Sequence, residues 1–161
     1  MDTAKLVALL CGNPQQLDAI YGIGLANGPR LPLIQVPTTA GTGSEVTPIS
    51  IVTTPTQEKK GVVSPLLYPD VALLDAKLTM GLPASITAMT GIDAMVHAIE
   101  AYTTRHKKNA LSDGLAIRGM QLMTAHIDDA VSANPSREAR EAMLRGAMRA
   151  GMAFANAPVA A

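Results

Sequence analysis

The chain changes character at Pro83. Before it, short β-branched and apolar runs alternate with turns; after it no convincing strand remains and the pattern is helical. Such a sequence cannot fold as one uniform layer. It predicts an α/β half over residues 1–80 and an all-α half over 81–161. With 161 residues there is room for one domain or two small ones.

In the first part, Asp2 to Leu10 reads as a helix, with Asp2 or Thr3 as its cap and Gly12 at its end. Gln16 to Tyr21 forms a further helical turn. Leu31 to Pro37 is a proline-bounded apolar run that reads as a buried strand. Thr38-Thr39-Ala40-Gly41-Thr42-Gly43-Ser44-Glu45-Val46-Thr47 follows it directly. Small hydroxyl residues and glycines after a strand leave backbone N–H groups and hydroxyls open to a phosphate or a ribose. The same residues would also make an ordinary turn. Gly41-Thr42-Gly43 lacks the third glycine of the dinucleotide fingerprint. Ile49–Thr53 and Gly61–Ser64 read as the two strands of a hairpin, with Lys59 and Lys60 leading into the second. A lysine there could reach a phosphate or be solvated at the edge. Tyr68 to Asp75 reads as one more strand.

In the second part, Ala84–Met89 and Gly91–Thr103 read as two helices, Asn109–Ala130 as a long amphipathic one, and Ser136–Phe154 as a fourth, capped by Ser136. Asp93 and His97 are four apart, which on a helix places both on one face. Their neighbours Ile92, Ala94, Met95, Val96, Ala98 and Ile99 are apolar on nearly every side, which predicts a buried helix. A buried carboxylate beside an imidazole is either half of a divalent-metal site or an Asp–His hydrogen bond in a core, and two ligands alone do not make a site. His106 and His126 lie in polar company and read as surface residues.

Thirteen basic residues balance thirteen acidic ones, which removes an electrostatic case for nucleic acid or anionic membrane. Apolar runs are far short of a membrane span. Cys11 is alone, so no internal disulfide forms, and with no basic leader before the apolar start the chain reads as cytoplasmic. Tyr21, Tyr68, Tyr102 and Phe154 are the whole aromatic complement, so the core must be aliphatic, with nine methionines to fill gaps.

Three stretches, in matching order and spacing, resemble the iron-containing (group III) alcohol dehydrogenases: Pro37 to Thr47, Pro69 to Asp75, and Gly91 to Tyr102. Ala153 to Pro158 is similar to the family's next block. The resemblance implies a Rossmann-like α/β nucleotide-binding part followed by an all-α metal-binding domain (the dehydroquinate synthase-like architecture), with the active site in the cleft between them. It implies Asp93 and His97 as metal ligands for Fe²⁺ or Zn²⁺. It implies Thr38, Thr39, Gly41, Thr42 and Ser44 around NAD or NADP, Asp2 closing the cofactor loop, and Lys59 or Lys60 touching the cofactor. The chemistry implied is hydride transfer between a small alcohol or aldehyde and NAD(P), with the metal as Lewis acid, in a homo-oligomer.

The family also carries a Gly-Gly-Gly-Ser loop before the helix resembled by Asp2–Lys5, and two metal-binding histidines beyond the block resembled by Asn156–Pro158. Neither falls within these residues, so the expectation is the central part of a dehydrogenase. The alternative is a non-catalytic folding or oligomerisation module.

Overall fold

The computed structural model describes residues 1–105 and 107–157. His106, read above as a surface residue, and Pro158 lie outside the described residues. The chain forms two compact units. One comprises Met1–Gln35 with Ser44–Ala72, the other Val36–Gly43 with the chain from Leu73 onward. Packing thus groups residues 36–43 with the helices, although they precede residue 80 by a long way.

The α/β unit begins with helix α1, Asp2–Gly12. Met1 rather than Asp2 or Thr3 holds the cap position. Asp2 sits inside the first turn, where a carboxylate suits the positive end of the helix dipole. Leu6 and Leu9 lie on one face and join Ile20, Val62 and Leu67 in the core of this unit. The turn expected over Gln16–Tyr21 is a single 3₁₀ turn, Leu17–Ala19.

Strands β1 (Gly22–Ile23) and β2 (Ile34–Gln35) are short. Strands β3 (Ile49–Thr53) and β4 (Lys59–Val63) form the expected antiparallel hairpin, with Ser50 opposite Val62. Its turn closes through the Thr54 N–H, which donates to the Glu58 carbonyl at 2.8 Å. β1 adds to β4 in parallel, giving the order β1-β4-β3. β2 pairs in parallel with β5 (Val71–Ala72). The strands expected over 31–37 and 68–75 therefore shrink to two-residue ladders. Pro32 and Pro37 bring no N–H to a ladder. Nor is the first run continuously buried: Ile34 is 65 % exposed and its neighbour Gln35 only 3 %.

The helical unit is built from α2 (Ala84–Thr103), α3 (Ala110–Ala130) and α4 (Arg137–Asn156). Sequence reading breaks α2 in two before Gly91; the helix runs through. Gly91 is buried where a Cβ would come within 2.6 Å of Met143 Cε, so it serves helix packing and not helix termination. The expectation that α2 is buried all round also fails. Gly91, Ala94, Ala98 and Ala101 face the core, while Met89, Ile92, Val96, Ile99 and Tyr102 are exposed. Small residues allow helices to approach closely, and the long apolar side chains point away from that contact. α3 follows the same logic: Ser112, Ala116, Gly119 and Met123 are buried, whereas Leu111 and Ile117, expected on its apolar side, are exposed. Asn109 Oδ1 caps α3 by accepting from Ser112 N–H at 2.9 Å. Ser136 caps α4 as expected, accepting from Ala139 N–H at 3.0 Å. The contact face of α4 is alanine, glycine and methionine, with Ala139, Met143, Ala147, Ala150 and Ala153 at or below 2 % exposure.

No helix among the described residues is long and apolar enough to cross a membrane.

Candidate functional site

Helix α2 presents Asp93 and His97 one turn apart. His97 Nδ1 stands 3.9 Å from Asp93 Oδ2, beyond hydrogen-bond reach, so the pair is not the simple Asp–His hydrogen bond that the spacing also allowed. Neither is it deep inside: the side chains are 50 % and 25 % exposed for Asp93 and His97. Phe154 of α4 packs on the imidazole with ring centroids 5.1 Å apart. His97 Nδ1 is shielded from solvent and finds no hydrogen-bond partner. A sequestered nitrogen without a partner, facing a carboxylate oxygen, suits a shared cation. One O and one N donor match the ligand chemistry of Fe²⁺ and Zn²⁺. Among the described residues no cluster of three His, Cys, Asp or Glu forms.

The Thr/Gly stretch is seated in the same helical unit as far as Gly43. Ala40, Gly41 and Gly43 are buried, while Thr38 and Thr42 are exposed and Thr39 is half-buried. Gly41 lies on Thr90 of α2: a Cβ there would stand 3.0 Å from Thr90 Cβ. Gly43 takes φ +60°, a left-handed conformation that favours glycine. Alternation thus turns hydroxyls outward while alanine and glycine anchor the backbone.

Ser44 and Asp2 belong to the α/β unit and meet there. Ser44 Oγ donates to Asp2 Oδ1. Asp2 Oδ2 accepts from Ile51 N–H at 2.9 Å, and the Asp2 carbonyl accepts from Ser50 Oγ at 3.0 Å. Asp2 therefore ties the start of α1 to β3. Lys59 and Lys60 are both exposed, opposite Thr53 and Val52 in the hairpin. Lys60 Nζ lies 3.6 Å from Glu58 and 5.5 Å from the centre of the Tyr21 ring.

Sequence reading passed over the most constrained charge in this unit. Lys5 is fully buried. Its ammonium donates to Thr47 O at 2.9 Å, Thr47 Oγ1 at 3.1 Å and Ile49 O at 2.8 Å. Burial lowers its pKa to about 8, opposed by the charges of Asp2 and Glu45. Glu45 is buried too, which raises its pKa, while its own backbone hydrogen bond and Lys5 pull it back. The signal available was Asp2 and Lys5 three apart on an otherwise apolar helix. Arg140 was also missed: it is 3 % exposed and donates to Thr87 Oγ1 and to Leu82 O.

Residues 1–76 match the family described as "Iron-containing alcohol dehydrogenase", and residues 87–161 match "Fe-containing alcohol dehydrogenase family, C-terminal". The sulfoacetaldehyde reductase of Bilophila wadsworthia is 43% identical over 157 residues, 97% of this chain and 40% of that protein. The protein named "Probable alcohol dehydrogenase EutG" of Salmonella typhimurium is 45% identical over 158 residues, 98% of this chain and 40% of its own length. The crystal structure of sulfoacetaldehyde reductase from Bifidobacterium kashiwanohense in complex with NAD⁺ superposes with a TM-score of 0.90 at 35% identity, covering 98% of this chain and 42% of that one. The chain thus spans about 40% of the length of the curated relatives it matches.

Proposed function

Because this chain belongs to the iron-containing alcohol dehydrogenase family, we propose that it is the central part of an oxidoreductase that moves a hydride between a small alcohol or aldehyde and NAD(P). In this reading residues 1–80 belong to the NAD(P)-binding domain and 81–161 to the metal-binding one. The observation that carries it is the partnerless His97 Nδ1 facing Asp93 on α2. The reductase names of its relatives and the NAD⁺ complex of one of them support it.

Asp93 and His97 would give one oxygen and one nitrogen to Fe²⁺, or to Zn²⁺, which share such ligands. A divalent cation bound there supplies Lewis acidity, favouring the deprotonated form of a substrate hydroxyl. Phe154 limits rotation of the imidazole. Thr38, Thr39, Gly41 and Thr42 offer hydroxyls and close backbone to the pyrophosphate and nicotinamide ribose of NAD, or of NADP. Ser44 and Asp2 act together, as hydroxyl and carboxylate already joined, to hold the edge of that loop. Lys59 or Lys60 contributes a cation to the cofactor. What these residues provide is alignment of the reacting carbon with the nicotinamide. A cytoplasmic homo-oligomer completes the reading.

The test is metal binding by the purified chain under anaerobic conditions, measured by calorimetry with Zn²⁺ and Fe²⁺, against the double variant Asp93→Ala, His97→Ala. The expected result is a saturable site in the parent that the variant lacks, with alcohol-dependent NAD reduction by the protein in its full-length context. Equal binding in parent and variant would refute the site. No binding and no turnover would favour the non-catalytic module.

A further inference from the structure

Gly43 and Gly151 meet backbone to backbone. A Cβ on Gly43 would stand 2.6 Å from Gly151 Cα, and one on Gly151 would stand 2.8 Å from Gly43 Cα. The same hypothetical Gly43 Cβ would lie 3.0 Å from the Ala147 carbonyl. Ala147, Gly151 and Phe154 are spaced i, i+4, i+7, one stripe along α4. On α2, Thr90, Asp93 and His97 are spaced i, i+3, i+7, again one stripe. The Thr/Gly loop touches the first residue of the α2 stripe through Gly41 and the α4 stripe through Gly43. Phe154, at the far end of the α4 stripe, rests on His97, at the far end of the α2 stripe.

We infer that Gly151 is a positioning residue: its bare Cα is the seat that fixes Thr38–Gly43 in register with the Asp93–His97 pair. The loop is held between α2, which carries the donor pair, and α4, whose Phe154 rests on His97, so one frame sets both. A methyl at Gly151 would close on backbone, which cannot swing aside as a side chain can, so the loop must lift. The role of the loop toward NAD(P) rests on the function proposed above; the seat itself does not.

The experiment uses the 161-residue chain with Gly151→Ala, and with Gly119→Ala as control. Alanine favours helix over glycine, so α4 is expected to persist in the variant. Gly119 packs α3 on Gly146, Arg149 and Ala150 of α4, none of them in the loop. Limited subtilisin digestion is read by mass spectrometry. The parent should resist cutting between residues 38 and 43 for as long as α4 itself does, Gly151→Ala should be cut there early, and Gly119→Ala should not. Gly43→Asn brings a Cβ from the loop side in a residue type that tolerates the φ of +60° there and leaves the helices intact, so it decides the matter if Gly151→Ala does not fold. Early cutting of the parent, or equal resistance of both seat variants, overturns the inference. A second readout separates positioning from general damage. Gly151→Ala should weaken NADH binding by on the order of 10- to 100-fold while Zn²⁺ affinity stays at the parent value. Zn²⁺ affinity falling in step with NADH affinity would make Gly151 merely structural. A parent that binds no NADH would remove the cofactor reading and leave the seat to the digestion.

Discussion

The two units solve the problem of holding a helix in opposite ways. In the α/β unit, α1 is fastened by charge: Lys5 on three oxygens, Asp2 on Ser44 and Ile51, with Glu45 buried nearby. In the helical unit, α4 is fastened mainly by shape, through a face of alanine, glycine and methionine that closes on its neighbours, with the buried Arg140 as the polar exception. Polar fastening depends on protonation and tolerates little loss of a partner. Fastening by small residues is indifferent to pH and intolerant of volume change.

The hardest blow to the helical unit is Met143→Ala. Met143 is fully buried, and its loss should cost about 2–5 kcal/mol. Urea unfolding followed by hydrogen exchange should place that loss in α2–α4 and leave α1 and the hairpin at parent protection. A loss spread evenly over both units would show that they unfold as one.

On the other side, Lys5→Met strands the Thr47 and Ile49 carbonyls and should destabilise the α/β unit by about 1–3 kcal/mol. Its pH signature is sharper. Lys5 titrates near 8 in the fold and near 10.5 when unfolded, so the unfolded chain holds more protons between those values. Stability of this unit should therefore rise as pH climbs from about 8 toward 10.5. The slope should vanish in Lys5→Met; a slope unchanged by the substitution would show that some other group titrates there.

A smaller effect lies at the acid end. The Arg30 guanidinium, 2.7 Å from Asp70, holds that carboxyl down to about 2, helped by the Leu33 N–H. The stability it gives is complete above the ordinary carboxylate pKa and drains away as pH falls toward about 2. Asp70→Asn should flatten that part of a urea-midpoint-against-pH curve, and an unaltered curve would count against the ion pair.

The mildest test probes the helical unit where no neighbour crowds it. Gly114 of α3 has nothing within 4 Å of a Cβ, so Gly114→Ala should raise stability by about 0.5–1 kcal/mol. The contrast with Gly151→Ala, the same change at a crowded glycine, isolates shape from helix propensity. A Tm that falls in both would erase the distinction.

The sequence makes some of this plain. Ser136 three residues before Ala139 announces the cap of α4, and the β-branched run at 49–53 before a Thr-Pro turn announces the hairpin. These are local signals, fixed by residues within a few positions. What stayed hidden depends on neighbours far along the chain. Gly91 looks like a stop because its reason, Met143, lies in another helix. Ile92, Val96 and Ile99 look like core because periodicity counts apolar residues and cannot say which of them a neighbour covers. Nothing local marks Lys5 as buried, because its three acceptors are more than forty positions away. Of the candidate site, the Asp93–His97 spacing was legible. The shielding of Nδ1 and the contact with Phe154 were not, since both come from tertiary packing.

The burial of Lys5 has a chemical corollary. Weak basicity ordinarily makes an amine the quickest to be acylated, since more of it is unprotonated at neutral pH. Lys5 is the lysine whose basicity is lowered, yet no reagent can touch it while α1 stays docked. Lys59, Lys60, Lys77, Lys107 and Lys108 all stand exposed. Acylation of the native chain would therefore mark those five and spare Lys5. A mark on Lys5 would report that the helix has come away.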